Sequence, residues 1–160
     1  MSIRNKRQRA NTDLRPHWIL TATAAAMLAL YLYLCHYPPA QWRQHIPAVQ
    51  LGMIRAIFYS LAIIAFPLTN LIRHIQLRLN QTMPGDKPAK SRYLFTLMIS
   101  MLFAESIGFM GFALYWMGDD FNTLYIFSLL SALAIYLYRP KTQEYRTIVQ
   151  ALSETENGKP

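Results

Sequence analysis

The sequence predicts an all-α, polytopic membrane protein: a bundle of four transmembrane helices with both termini in the cytoplasm. Three observations predict it. Hydrophobic residues make up 53% of the 160 residues and charged residues 15%, and the apolar residues are gathered into four long runs. Basic residues flank these runs, and aromatic residues mark their ends. In such a chain the lipid bilayer covers the apolar surface, and a single soluble core is not expected.

The chain opens with a basic segment, residues 1–17, which we place in the cytoplasm. The apolar run that follows covers residues 18–37, and its 20 residues exceed the apolar core of a signal peptide. We therefore expect an uncleaved first span. Pro38 and Pro39 should end it, because proline lacks an amide hydrogen and disfavours helix in the preceding residue.

The second span is predicted over residues 51–72. Arg55 lies one turn inside it and can extend its charge to the interface. Pro67 lies within the span and is expected to kink the helix. Beyond residue 72 we expect a basic amphipathic continuation at the membrane surface, with Ile72, Ile75 and Leu79 on one face and Arg73, Gln76 and Asn80 elsewhere.

The third span, residues 93–117, contains a single charged side chain, Glu105, at its midpoint. At a rise of about 1.5 Å per residue, this position falls near the bilayer midplane. Desolvation there favours the neutral acid, and a neutral acid can donate a hydrogen bond. We therefore expect Glu105 to be a candidate proton or cation site, protonated and hydrogen-bonded to a hydroxyl such as Ser60, Thr123, Ser128 or Ser131.

Small residues recur every three or four positions along the same span, at Ser100, Ala104, Gly108 and Gly111. They form one stripe, and a stripe of small side chains lets another helix backbone approach closely in a membrane. We predict that these four residues pack against a neighbouring helix.

A tight turn at Gly118, Asp119 and Asp120 leads into a fourth span over residues 121–138. The two aspartates are interpreted as a solvated turn, with cation binding as the less favoured alternative. Spans three and four must then form an antiparallel hairpin. Residues 139–160 form a cytoplasmic tail, in which 142–152 have the apolar spacing of a short amphipathic helix.

Orientation follows from the basic residues. Fourteen of the sixteen Lys and Arg fall in the N-terminal segment, the loop between spans two and three, or the tail. The positive-inside rule places these three segments in the cytoplasm and the protein in the inner membrane. An aromatic belt is predicted at the span ends by Trp18, Tyr37, Trp42, Tyr93, Trp116 and Tyr138. Because topology accounts for the net charge of +8, we do not expect nucleic-acid binding.

One segment has a family resemblance. Residues 104–111, AESIGFMG, are similar to the carboxylate segment of the proteolipid ring subunit of rotary ATPases, in which a mid-membrane glutamate precedes an apolar pair and a glycine. The resemblance implies that Glu105 carries a translocated proton or sodium ion, with Gly111 at the family's glycine. It covers about eight residues, and the glycine-repeat helix of that family is absent from the first span.

Other chemistry is sparse in the sequence. Cys35 is the single cysteine, and His17, His36, His45 and His74 lack metal-ligand spacing on one helix. Motifs for hydrolases, zinc proteases and nucleotide binding do not occur. We therefore expect no metal, no cofactor and no enzymatic activity.

Two functions remain open. The first is a non-enzymatic accessory or assembly component that works through helix packing, either as a homo-oligomer or with other membrane-protein subunits. The second is a proton- or cation-binding or translocating protein that uses Glu105. The first is favoured at this stage, because Glu105 is the single chemical feature inside the predicted spans.

Overall fold

The computed structural model describes residues 14–37, 43–44, 46–82 and 89–157. All regular structure within them is helical, which confirms the all-α prediction. Five helices follow one another in the chain: α1 Arg15–His36, α2 Ala48–Thr82, α3 Ala89–Trp116, α4 Phe121–Leu137 and α5 Thr142–Asn157. The predicted basic segment before Leu14, the stop at Pro38 and Pro39, the belt residue Trp42 and loop residues 83–88 lie outside the described residues.

Three helices, α1, α2 and α3, are long and apolar enough to cross a membrane. The fourth candidate is α4, which has 17 residues. It meets the same criteria together with Thr142–Ala151, the first part of α5, from which it is bent by 42°. The chain therefore has the helices of a multi-pass membrane protein. Four separate spans with both termini in the cytoplasm remain a prediction.

Helix α3 is the centre of the bundle, because it packs against each of the other four helices. Its strongest partner is α4, as a helical hairpin requires, whereas α1 and α2 make little contact with each other. The central helix is correspondingly the most buried of the three long candidate spans. The rest of the chain is thus arranged around the helix that carries Glu105.

Helix α2 runs for 35 residues and is continuous through Pro67, so the predicted amphipathic continuation belongs to the same helix. Pro67 lies on the exposed side, and two residues later the Thr69 hydroxyl donates to the Ala65 carbonyl oxygen at 2.6 Å. This bond gives the Ala65 carbonyl oxygen a second donor, two residues after the carbonyl at position 63, which lacks its usual donor because Pro67 has no amide hydrogen. A kink at Pro67 remains a prediction.

The turn between α3 and α4 is specified by its three residues. Gly118 has φ 107°, in the region that favours glycine, and its amide donates to the Tyr115 carbonyl oxygen at 3.1 Å. The Asp119 amide donates to the Leu114 carbonyl oxygen at 3.0 Å, which completes a Schellman motif. Asp120 then caps α4 by accepting the Thr123 amide at 3.0 Å.

The aromatic belt is formed differently from the prediction. Trp18 and Tyr37 are exposed, but Tyr93 and Tyr138 are buried within the bundle. The Tyr138 hydroxyl donates to the Phe66 carbonyl oxygen of α2 at 3.1 Å, and the Tyr93 hydroxyl contacts residues that lead into and begin α5. Each phenol therefore has a hydrogen-bond partner inside the protein, which removes its need to reach the interface.

Candidate functional site

Glu105 lies in the middle of α3, and both of its carboxylate oxygens are buried. Neither oxygen has a hydrogen-bond partner in the part of the chain that the structure describes. The expectation that Glu105 is hydrogen-bonded therefore differs from the structure. The residue as a whole is partly exposed, so its stem lies nearer the bundle surface than its carboxyl group does.

Three of the four hydroxyls proposed as its partners are used elsewhere. Ser131 donates to the Ala104 carbonyl oxygen at 2.8 Å, and Ser60 donates to the Ala56 carbonyl oxygen at 2.9 Å. Thr123 takes part in the cap at Asp120. Ser128 is buried and without a hydrogen-bond partner among the described residues, as Glu105 is. A carbonyl one turn away in the same helix thus takes the Ser60 hydroxyl, and a carbonyl of α3 takes that of Ser131.

The neighbourhood of Glu105 on the α1 side is aromatic. Tyr31 of α1 lies within electrostatic range of Glu105, and its ring centroid is 5.2 Å from that of Phe112 and 6.2 Å from that of Phe109. Because residues 105, 109 and 112 share one face of a helix, the carboxyl group lies one turn from this aromatic cluster. The phenylalanine rings cannot pair with the acid, and the Tyr31 hydroxyl makes no hydrogen bond to Glu105 among the described residues.

The predicted packing residues lie inside the bundle. Ser100 and Ala104 are both buried, and so are Gly108 and Gly111. A Cβ atom added at Gly111 would lie 2.5 Å from the Phe127 Cβ atom of α4. One added at Gly108 would lie 2.9 Å from a Leu28 methyl of α1 and 3.0 Å from the Ser131 hydroxyl oxygen. The stripe therefore joins α3 to α1 and α4 within one chain.

A polar cluster surrounds the α3–α4 turn. The turn cluster is defined here as Arg43, Arg55 and Asp119. Arg55 binds the Asp119 carboxylate with both Nε, at 2.9 Å, and Nη2. Arg43 donates to the Asp119 carbonyl oxygen at 2.6 Å and lies over the Tyr115 ring. The Asp119 side chain is fully buried, so the solvated-turn interpretation is wrong for Asp119; Asp120 is exposed and caps α4.

A second polar cluster lies at the opposite end of α3. The tail cluster is defined here as Arg73, Tyr93, Ser100, Lys141 and Glu144. Arg73 Nη2 donates to the Glu144 carboxylate at 2.6 Å, and Nη1 donates to the Ser100 hydroxyl at 3.2 Å. The Tyr93 hydroxyl donates to the same Glu144 oxygen at 3.1 Å and accepts the Lys141 amide at 2.8 Å. Together these bonds fasten the start of α5 to α2 and α3.

The end of α2 packs against the protein more closely than a helix lying at the membrane surface would. Arg73 is buried, and Asn80 donates to the Thr96 hydroxyl of α3 at 3.0 Å. Ile75 and Leu79 are exposed, and so are His74 and Arg78. Arg73 and Asn80 therefore face the protein, while Ile75 and Leu79 point outward. The sequence signal that was available is Glu144, the first acid after the fourth span and a natural partner for a basic residue at a span end.

Within the described residues, no group of three or more His, Cys, Asp or Glu side chains could hold a metal ion. His17 instead packs between the rings of Tyr93 and Tyr145, at centroid distances of 5.1 and 6.2 Å. His36 donates or accepts at the Tyr125 hydroxyl, 2.9 Å away. These two histidines thus join α1 to other helices.

Comparisons with known proteins complete the description of the site. No protein-family model, curated protein or solved structure matches the chain. The resemblance of residues 104–111 to the proteolipid ring subunit therefore remains a prediction carried by those residues alone. The chemistry available inside the bundle resides in Glu105 and the two polar clusters.

Proposed function

We propose that this chain is a polytopic membrane protein that binds a proton at Glu105. The observation that carries the proposal is the burial of both carboxylate oxygens without a hydrogen-bond partner among the described residues, on the helix that contacts all the others. An ionised carboxylate in such a place costs several kcal/mol, whereas the neutral acid costs far less. The resting state of Glu105 is then the protonated acid.

This function has more support from the contacts than the accessory function that the sequence favours. The stripe of small residues, on which the accessory function depended, is occupied by α1 and α4 of the same chain. It leaves no contact there for a partner protein. Packing gives no reason for an acid at position 105, because an apolar side chain would fill the same space without an unpaired polar group.

Proton exchange requires the carboxyl group to reach water or another acceptor. The partly exposed stem of Glu105 places the carboxyl group close to the bundle surface, so that a change of side-chain rotamer can bring it out. We propose that this exchange takes place at an interface with another subunit, because four helices enclose little space alone. The role that the resemblance implies for Glu105 is of the same kind.

The membrane orientation is part of the proposal. Four spans with both termini in the cytoplasm of the inner membrane account for fourteen of the sixteen basic residues. Arg43 and Arg55, the two on the opposite side, both bind Asp119. In this orientation the turn cluster faces away from the cytoplasm and the tail cluster lies at the cytoplasmic end.

Proton binding is tested by labelling with a hydrophobic carbodiimide, which reacts with protonated carboxyl groups inside membranes. Wild-type protein in liposomes should be labelled at Glu105, and labelling should fall as the pH rises. Glu105→Gln should remove it, and Asp120→Asn should leave it unchanged as the matched control, because Asp120 is exposed and asparagine also caps a helix. Equal labelling of wild type and Glu105→Gln would contradict the proposal.

Translocation needs a separate measurement. Liposomes that contain a pH-sensitive dye should acidify faster with wild-type protein than with Glu105→Gln when an inward proton gradient is applied. If carbodiimide labelling is specific to Glu105 but liposomes with either protein acidify at the same rate, Glu105 binds a proton without conducting it. Binding and transport are thus distinguished by two readouts on the same pair of variants.

A second candidate, the accessory component, is favoured by one observation on α2. Gly52 is exposed, and a Cβ atom added there would meet nothing within 4 Å, in contrast to Gly108 and Gly111. Ala56 and Ser60 continue this open stripe at four-residue spacing. We propose a second copy of the chain as the helix that packs on it. The variant Cys35→Ala/Ala56→Cys should form a disulfide-linked dimer when native membranes are oxidised. If it remains a monomer, a second copy does not pack on this stripe.

A further inference from the structure

A cavity of about 300 Å³ lies beside the tail cluster, between the second half of α2, the end of α4 and the start of α5. Its polar lining comes from Asn70, Arg73 and His74 of α2, together with Lys141 and Glu144. These residues are separated by up to about 70 positions in the sequence and meet only in the folded protein. The cavity is remote from Glu105, which does not line it.

Arg73 is held in position with donors to spare. Three of its N–H groups are engaged, with Glu144 at 2.6 Å, Ser100 at 3.2 Å and the Tyr138 carbonyl oxygen at 3.3 Å. A guanidinium has five N–H donors, so two are without a partner among the described residues of a side chain that lines the cavity. A buried arginine with a fixed plane and spare donors is suited to a group with several anionic oxygens.

The charge of the lining is positive. Arg73 and Lys141 carry one positive charge each against the single carboxylate of Glu144, and the His74 ring adds nitrogens that can hydrogen-bond an anion. The Lys141 side chain is 53% exposed and its ammonium group is 4.0 Å from Glu144, so it can turn toward a ligand at small cost. An anion is therefore favoured over a cation.

Apolar residues complete the lining of the cavity. Leu77 and Leu137 line it, and Leu137 is exposed on α4. Leu133, one turn closer to the middle of the bundle, is exposed as well. A ligand with an anionic head and a hydrocarbon chain would place its head among the basic groups and its chain along α4. A small anion would use the head position alone.

We propose that this cavity binds a phosphate group, and that its source is the headgroup of an anionic phospholipid. Basic pockets between membrane helices on the cytoplasmic side have the chemistry for such headgroups. Arg73 supplies paired donors from below, and His74 and Lys141 close over the phosphate from the rim. Glu144 keeps Arg73 in place and sets the lining to a moderate positive charge.

The test uses the full chain in mild detergent, with phosphatidylglycerol, phosphatidylcholine or inorganic phosphate as the added probe. Phosphatidylglycerol should raise the thermal unfolding midpoint of the wild type, and phosphatidylcholine should not. In His74→Gln/Lys141→Gln the apparent affinity for phosphatidylglycerol should fall about 5- to 30-fold, from about one kcal/mol per basic group. Both side chains are solvent-accessible, so the variant should fold.

Arg78→Gln is the matched control, because Arg78 is an exposed basic residue at the same end of α2 that does not line the cavity. It should respond to phosphatidylglycerol as the wild type does. An equal response of the double variant would overturn the proposal, and so would equal stabilisation by both lipids or by neither. Stabilisation by inorganic phosphate as strong as by phosphatidylglycerol would support the phosphate site and assign it to the free ion.

Discussion

Arg55 of α2 binds the carboxylate of Asp119 through two of its nitrogens, across 64 positions of the sequence. The two side chains differ in exposure, since Arg55 is 40% exposed and Asp119 is fully buried. Loss of one partner therefore has a different consequence from loss of the other. A solvent-accessible guanidinium can turn to water, but a buried carboxylate cannot.

We expect Arg55→Met to lower the free energy of unfolding by about 3 kcal/mol, because it leaves the ionised Asp119 buried without its counter-charge. Asp119→Asn should cost about 1 kcal/mol, since Arg55 is then free to hydrate. Unfolding of the detergent-solubilised protein by increasing amounts of a denaturing detergent measures both. Equal losses in the two variants would contradict the assigned difference in burial.

The three helical glycines form a graded series. Gly111→Ala should prevent normal packing of α3 on α4, because the new Cβ atom would lie 2.5 Å from the Phe127 Cβ atom, which is fixed to its backbone. Gly108→Ala should cost less, since its nearest contacts are the end of a flexible Leu28 side chain at 2.9 Å and the Ser131 hydroxyl oxygen at 3.0 Å. Gly52→Ala should be neutral or stabilise by up to about 1 kcal/mol through helix propensity. The thermal unfolding midpoint should be highest for Gly52→Ala, intermediate for Gly108→Ala and lowest for Gly111→Ala. Any other order would contradict the packing described for these glycines.

The Glu105 side chain of the wild-type protein should lower its free energy of unfolding. Glu105→Leu removes two buried oxygens that lack hydrogen-bond partners within the described chain, so we expect a gain of about 1 to 3 kcal/mol. Glu105→Gln retains a polar group and should change stability little. If Glu105→Leu is more stable than the wild type and is no longer labelled by carbodiimide, the acid at position 105 serves function and not stability. Destabilisation by Leu would show instead that the carboxyl group is bonded in the folded protein.

Asp120 makes the start of α4 sensitive to acid. The Thr123 amide bound to its carboxylate lowers the pKa of Asp120 below the ordinary value for aspartate. The cap thus contributes stability at neutral pH, and this contribution is lost as the pH falls through the folded-state pKa. Asp120→Ala should cost about 1 kcal/mol at neutral pH. The deficit relative to wild type, followed by unfolding from about pH 6 to pH 2, should shrink with acidification. A pH-independent deficit would assign the cost to something other than the charged cap.

The proposed orientation places the end of α2 and the start of α4 on opposite sides of the membrane. Single cysteines at the exposed positions Thr82 and Asn122, in a Cys35→Ala background, should be labelled by an impermeant maleimide from opposite sides. Thr82→Cys should react only after the membrane is opened to the cytoplasmic side. Labelling of both positions from one side would exclude four spans.

The helices were predictable from sequence, because long apolar runs and proline or glycine stops act locally. The four runs became α1 to α4 with shifts of a few residues, and the tail pattern became α5. The inward direction of Arg73 and the burial of Asp119 were not predictable. Lipid is as apolar as a protein interior, so hydrophobic periodicity tells which residues share a face but not what covers it.

The same limit applies to Glu105. Its place at the middle of a span followed from counting residues, but its lack of partners depends on which hydroxyls point toward it. Ser60 and Ser131 each bind a backbone carbonyl, and that choice is decided by local helix geometry and helix packing together. Amino-acid composition alone specifies neither the local helix geometry nor the helix packing.

The turn cluster sets an order of events during synthesis. Arg43 and Arg55 leave the ribosome well before Asp119, and at about 5 to 20 residues per second the 64 positions between Arg55 and Asp119 take about 3 to 13 s to translate. For that interval α1 and α2 are without the acidic partner of Arg43 and Arg55. Folding of α3 and α4 then closes one end of the bundle, and Glu144 reaches Arg73 across 71 positions shortly afterwards. The nascent chain is therefore most exposed to quality-control proteases before Glu144 appears, and a delay in translation between Arg55 and Glu144 should deplete the protein.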